Sequence, residues 1–139
     1  MRTIKSNRSL LMYILLSILT LGIYHLYFIY SIARDINEMC EGDGDHTAGL
    51  IVFTILNFVT CGIYSFIWMY KLGNRLQINA DDYKDYFPEN GTTILLWLIL
   101  GNLICGIGSF IALHIIIKNT NQLARHYNNK YSGLNTCIL

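Results

Sequence analysis

The sequence predicts an all-α protein: a helical integral membrane protein with three transmembrane segments, arranged as a degenerate internal repeat of about 40 residues. Three observations predict it. First, 53% of the residues are hydrophobic and only 14% charged, with a mean hydropathy of +0.39. A soluble domain carries about 25% charged residues, and a short chain should expose more polar surface than a long one. Second, three apolar runs, 9–33, 48–72 and 92–117, stand between polar segments. Each is about 25 residues long, and a membrane-spanning helix needs about 20. Third, a glycine-centred motif recurs inside the runs: "TLGIY" at 20–24, "TCGIY" at 60–64 and, weakened, "ICGIG" at 104–108.

The chain opens on "MRTIKSNR" and then an apolar stretch, which imitates a secretory signal. The run continues well past such a length, no A-x-A site follows, and the same pattern returns downstream. Repeat 1 covers about 8–40, repeat 2 about 48–80 and repeat 3 about 92–124, in a single membrane domain with a polar tail at 125–139. Runs of this length exceed ordinary strands and are read as helices.

Alignment on Gly22, Gly62 and Gly106 gives spacings of 40 and 44 residues. Nine positions before the glycine stand Tyr13, Phe53 and Trp97. Eight after it stand Tyr30, Tyr70 and His114. Fifteen after it stand Asn37, Gln77 and Asn121. The third copy departs from the pattern, with Gly108 in place of tyrosine and Ala112 in place of Phe28 and Trp68.

The repeat glycine has two readings. The favoured one is helix packing. Asn57, Cys61 and Ser65, and again Gly101, Cys105 and Ser109, are four apart and would form a small-residue stripe beside Gly22, Gly62 and Gly106; such stripes let helices approach closely in lipid. In run 1 the same positions hold Ser17, Leu21 and His25, a poorer match. The other reading is a helix break, with Thr20 and Thr60 capping a fresh helix and the runs bent or re-entrant in the membrane. Broken helices at membrane depth are tolerated where protein or a water-filled cavity covers them.

Basic residues favour the cytoplasmic side. Arg2, Lys5 and Arg8 precede run 1, and Lys71, Arg75 and Lys84 lie in and around the second loop. The first loop is acidic, with Glu38, Glu41, Asp43 and Asp45 against one arginine, Arg34. Three spans with a cytoplasmic N-terminus follow. Against them, every repeat ends in basic residues, as if all the ends faced one side. Tyr24, Tyr27, Tyr30, Tyr64, Trp68, Tyr70 and Trp97 are expected at the membrane interface, where amphipathic rings collect.

The stretches "LLSILTLGIYHLYFIYSIARDIN" (15–37) and "LNFVTCGIYSFIWMYKLGNRL" (56–76) resemble the domain-of-unknown-function family 4234, small bacterial membrane proteins with T-x-G-I-Y repeats. The resemblance covers about 8–77 well and the last third weakly. It implies a multi-span membrane protein and no particular activity; the expected location is the bacterial cytoplasmic membrane.

Candidate chemistry is sparse. His25 and His114 lie inside apolar runs, where ionisable groups are functional candidates by default. His114, aligned with Tyr30 and Tyr70, is read as an interface residue. Asn57 and Asn102 either bridge helices or, with His114, line a path through the membrane. "EGDGDH" at 41–46 lacks the positions of a calcium loop and is read as a solvated acidic loop. The four cysteines have no C-x-x-C spacing, and Cys137 is misplaced for prenylation. No Walker loop, H-E-x-x-H or G-x-S-x-G is present. No catalytic, metal or cofactor site is expected, the protein is expected not to be an enzyme, and its net charge of +1 speaks against nucleic acid. The expected partners are the lipid bilayer and either a second copy of the chain or another membrane protein. The leading expectation is action by helix association. The alternatives are a small-solute or ion pathway on bent helices, and a membrane-bound immunity or stress factor.

Overall fold

No apolar run folds as a single helix: the first two give two helices each, and the third gives a series of shorter segments and one long helix. In this computed structural model, which describes residues 2–104 and 106–138 with side chains through Gly133, the first run gives α1 (Leu10–Leu19) and α2 (Ile23–Met39), and the second gives α3 (Leu50–Val59) and α4 (Ile63–Ala80). The third gives α5 (Gly91–Leu96), a π-helical segment (Trp97–Gly101), the single turn α6 (Asn102–Ile104) and the long α7 (Gly108–Ile138). A 3-10 turn (Asp81–Tyr83) follows α4. Among the described residues no helix is long and apolar enough to cross a membrane. The three single spans expected from run length are therefore replaced by three helical hairpins.

The hairpin turns explain the repeated motif. Leu21 and Gly22 both take positive φ, 53° and 92°, and Cys61 and Gly62 repeat them at 51° and 93°. A left-handed residue with a side chain costs about 1–2 kcal/mol, so glycine takes the more extreme of the two positions. A methyl group added at Gly22, Gly62 or Gly106 would meet nothing within 4 Å. These glycines supply backbone conformation. Within the chain they relieve no crowding, and the packing role expected of them between its own helices is corrected. The threonine completes the turn: Thr20 Oγ1 donates to Leu16 O at 2.7 Å and accepts from Tyr24 N at 2.9 Å, and Thr60 does the same with Leu56 and Tyr64 at the same distances.

The small-residue stripe is also redistributed. Asn57 lies on α3, Cys61 in the turn and Ser65 on α4, so they share no single helix face. Cys105 lies outside the described residues. Close packing is found instead inside the third hairpin. A Cβ on Gly101 would stand 2.5 Å from the Gly108 Cα, and one on Gly108 would fall on the Trp97 carbonyl oxygen. Small residues here let α7 press against the π-helical segment, which explains why this copy of the repeat has Gly108 where the others have tyrosine.

The hairpins point the same way. Their tips are apolar and exposed: Leu21 is 95% exposed, Phe58 87% and Leu103 78%. At the opposite end the described polar segments meet in a base. Arg2 and Arg8 reach Asp35. Asp85 meets His126 at 3.1 Å and Lys118 meets Glu89 at 2.5 Å. The Tyr83 hydroxyl donates to Met39 O at 2.5 Å. Arg75, buried, donates to both carboxylate oxygens of Asp43, to Asn37 Oδ1, to Thr47 Oγ1 and to the Asp45 carbonyl. Thus Asp43 of the first loop is an ion-pair partner, not merely a solvated acid. The tightest core lies between tips and base, with Ile32, Ile36, Leu72, Leu76, Ile94 and Ile116 at 0–1% exposure.

The amides fifteen positions after each glycine have one job. Asn37 donates to Thr47 O and accepts from Thr47 N, just before α3. Gln77 donates to Phe87 O, just before α5. Asn121 donates to Arg8 O and accepts from Arg8 N, just before α1. Each hairpin clasps the backbone that leads into the next, and the third clasps the lead into the first. The repeat closes on itself.

Candidate functional site

Closure leaves a space between the hairpins. A cavity of about 260 Å³ lies there, lined by residues of all three. Its deep walls are apolar and buried: Phe28, Phe53, Trp68, Leu98 and Ile116. Its outer lining includes His25, Asn57 and Ser65, half-buried, and Ser109, exposed. These residues sit close to the hairpin tips, while the buried walls lie farther from the tips along the chain.

The polar lining has a repeated origin. His25, Ser65 and Ser109 all stand three positions after the repeat glycine. In each hairpin this residue bonds back to the descending arm. The Tyr13 hydroxyl and His25 Nδ1 are 2.7 Å apart. Ser65 N donates to Asn57 Oδ1 at 3.2 Å, and Asn102 Nδ2 donates to Ser109 Oγ at 2.8 Å. The aromatic frame repeats too. The Tyr13 ring lies 6.1 Å from Tyr24 and 4.8 Å from Phe28, while Phe53 lies 6.1 Å from Tyr64 and 5.3 Å from Trp68. In the third hairpin Gly108 and Ala112 take the places of the ring partners, and Trp97 lies against the close-packed glycines.

The pattern of bent-helix residues in this frame belongs to a known family. The family model Domain of unknown function (DUF4234) matches residues 8–78, half of the chain. The chain belongs to the DUF4234 family. The DUF4234 match takes in the first two hairpins, and with them Tyr13, His25, Asn57 and Ser65 of the cavity. No curated protein and no solved structure matches the chain.

Of the three residues expected to line a path, Asn57 lines the cavity, and Asn102 is held to Ser109 at its edge. His114 does not join them. It is exposed on α7, in a separate groove with Arg8, Lys118 and Asn121. Among the rings expected at an interface, Tyr27, Tyr30, Tyr70 and Trp97 are exposed, and Tyr24 and Tyr64 are half-buried. Trp68 is 4% exposed and donates from Nε1 to Ala48 O at 3.0 Å; it is a core residue and a cavity wall. Sequence reasoning placed Tyr13 in the aromatic alignment and named His25 as an ionisable residue within an apolar run, but did not pair the two. The available signal was a polar residue three after every repeat glycine.

Proposed function

We propose that the protein is a membrane-embedded binding protein whose three hairpins enter one leaflet from one side and frame a cavity inside it. The observation that carries this reading is the separation of ends: exposed apolar tips at one, every described polar segment at the other. Length fits it. The ten residues of α1 or α3 rise about 15 Å, half of a hydrocarbon core of about 30 Å. Irregular backbone in lipid must satisfy its own polar groups, and these turns do so for their N–H groups. Thr20, Leu21, Gly22 and Ile23 donate to Leu16, Ile18, Ser17 and Thr20 carbonyls, and residues 60–63 repeat the pattern. The cavity lining carries no carboxylate, lysine or arginine, which favours binding over catalysis. The cytoplasmic face of a bacterial inner membrane suits the basic residues that end every repeat.

Thiol labelling tests the arrangement. Cys40 cannot report it, because the residue is 1% exposed and burial pushes its thiol up to about 12. Single cysteines placed at the exposed positions Lys5, Glu41, Tyr86 and Lys130, on a background with the four natural cysteines replaced by serine, are treated with a membrane-impermeant maleimide. The expected result is that all four behave alike, protected in intact cells and labelled after lysis. Labelling of Glu41→Cys and Lys130→Cys from the side opposite to Lys5→Cys and Tyr86→Cys would restore three spans and remove this reading.

A further inference from the structure

We propose that the cavity binds a neutral, lipid-soluble molecule carrying a hydroxyl or carbonyl oxygen on a ring-sized apolar body. The lipid-soluble part of this assignment rests on the single-leaflet reading; the neutral, hydrogen-bonding part rests on the cavity alone.

Size comes first. The volume of about 260 Å³ exceeds the roughly 150 Å³ of a dry apolar cavity that accepts benzene, so a substituted six-membered ring fits. The deep walls are aromatic and aliphatic, with Phe28, Phe53 and Trp68 buried, and they take the apolar body. A purely apolar ligand would leave polar atoms unused. The Tyr13 bond occupies Nδ1 of His25 and leaves the imidazole Nε2. Ser65 Oγ donates to Gly62 O at 2.6 Å and keeps its acceptor capacity. An oxygen placed among His25, Ser65 and Ser109 meets the imidazole Nε2 as a donor and the two serine oxygens as acceptors, one from each hairpin.

Charge is selected against. A buried ion needs a partner of opposite sign; the lining holds no carboxylate, lysine or arginine, and its one histidine, His25, is already bonded to the Tyr13 hydroxyl. The polar lining residues His25, Ser65 and Ser109 each stand two positions after an exposed isoleucine of a hairpin tip, Ile23, Ile63 and Ile107, at 69%, 62% and 54% exposure. A ligand that enters past these side chains from hydrocarbon meets apolar surface.

The test uses the full chain in detergent micelles, with Trp97→Phe so that Trp68, in the cavity wall, is the remaining tryptophan. Its emission is followed on titration with 4-propylcyclohexanol, propylcyclohexane and 4-propylcyclohexanecarboxylate. The expected result is a saturable change with the alcohol, binding of the hydrocarbon weaker by several-fold to about tenfold for the lost hydrogen bond, and no saturable change with the carboxylate. Filling the cavity with Ser65→Leu should abolish saturation while helical circular dichroism is retained. Leu113→Phe fills it from α7 if the first variant does not fold. His25→Phe should shrink the preference for the alcohol over the hydrocarbon. A response that is linear, or the same in wild-type and filled variants, would mean partition into the micelle and would overturn the proposal. Equal affinity for alcohol and hydrocarbon would reduce the cavity to an apolar void and overturn it as well. Because micelles have no sides, this result is independent of the labelling experiment, and either reading can fail alone.

Discussion

Arg75 carries the polar base, and it does so because a guanidinium presents five donors in a fixed fork. Its side chain is 4% exposed, a burial that is unfavourable unless the charge is paired and the donors are used. Asp43 supplies the charge, with Nε to Oδ2 at 2.7 Å and Nη2 to Oδ1 at 3.0 Å. The loop carbonyls, Asn37 and the Thr47 hydroxyl take the rest. The pairing shows in the acid: hydrogen bonding from Arg75 holds the Asp43 carboxyl down to about 2, from an ordinary 3.8. A carboxylate whose folded pKa is depressed adds stability that is fully present above its unfolded value and is lost as the pH falls through the folded one. Thermal midpoints measured in detergent should therefore drop between about pH 4 and pH 2. In Asp43→Asn the midpoint should be lower at neutral pH and the decline over that window shallower. An unchanged decline would place the acid sensitivity elsewhere. The acidic stretch 41–46 gave no sign of this role, because nothing local in it marks a partner that lies more than thirty residues away on α4.

At the scale of the hairpin, the two turns are the same object built twice, and the motif T-x-G-I-Y is their specification. Threonine caps, the second residue accepts a strained φ, and glycine accepts a larger one. Gly62→Ala should lower stability by about 1–2 kcal/mol, although space is open around the site. Gly133→Ala, within α7 and equally open, should raise it by about 0.5–1 kcal/mol, because alanine is the better helix former. Denaturant or thermal melts of the two variants decide the matter, and equal effects would mean that backbone conformation is not what Gly62 supplies. The hairpin was only half legible in advance. An apolar run of about 25 residues fits one span or two half-length arms equally well, since periodicity reports a helix and not its length across a tight turn. A glycine for packing and a glycine for positive φ also look alike in a sequence. Thr20 and Thr60 were the better witnesses, since a capping residue has no purpose in the middle of a span. The third hairpin was hardest to read, because Gly101 and Gly108 belong to a close approach that neither of the other copies makes.

At the scale of the molecule, the repeat makes a closed ring from an open chain. The amide at the same place in each repeat was visible from alignment; its partner was not, because the partner backbone belongs to the following hairpin and, in the last case, to residue 8. The cavity follows from the closure, since it is bounded by side chains of all three hairpins. This ties the site to the clasp that joins the chain's two ends. Asn121 is 9% exposed and satisfies both backbone groups of Arg8, and Asn128 repeats the arrangement on Ile4, at 2.9 Å and 2.7 Å. Replacing Asn121 by alanine leaves the Arg8 groups without their partner, a loss of about 1–3 kcal/mol, and it falls on the clasp nearest α1 among those that join the third hairpin to the first. Local opening should then appear before global unfolding. The expected outcome for Asn121→Ala is faster amide exchange at Arg8 and along α1, with α3 and α4 little changed. Asn37→Ala should instead loosen the lead into α3, where Thr47 loses its partner. If both variants speed exchange uniformly over the chain, the clasps are one cooperative base and the ring does not open at separate joints. If each loosens only its own joint, the cavity is bounded by three seams that open one at a time, and the seam between α1 and α7 is the one that brings no strain to a continuous loop.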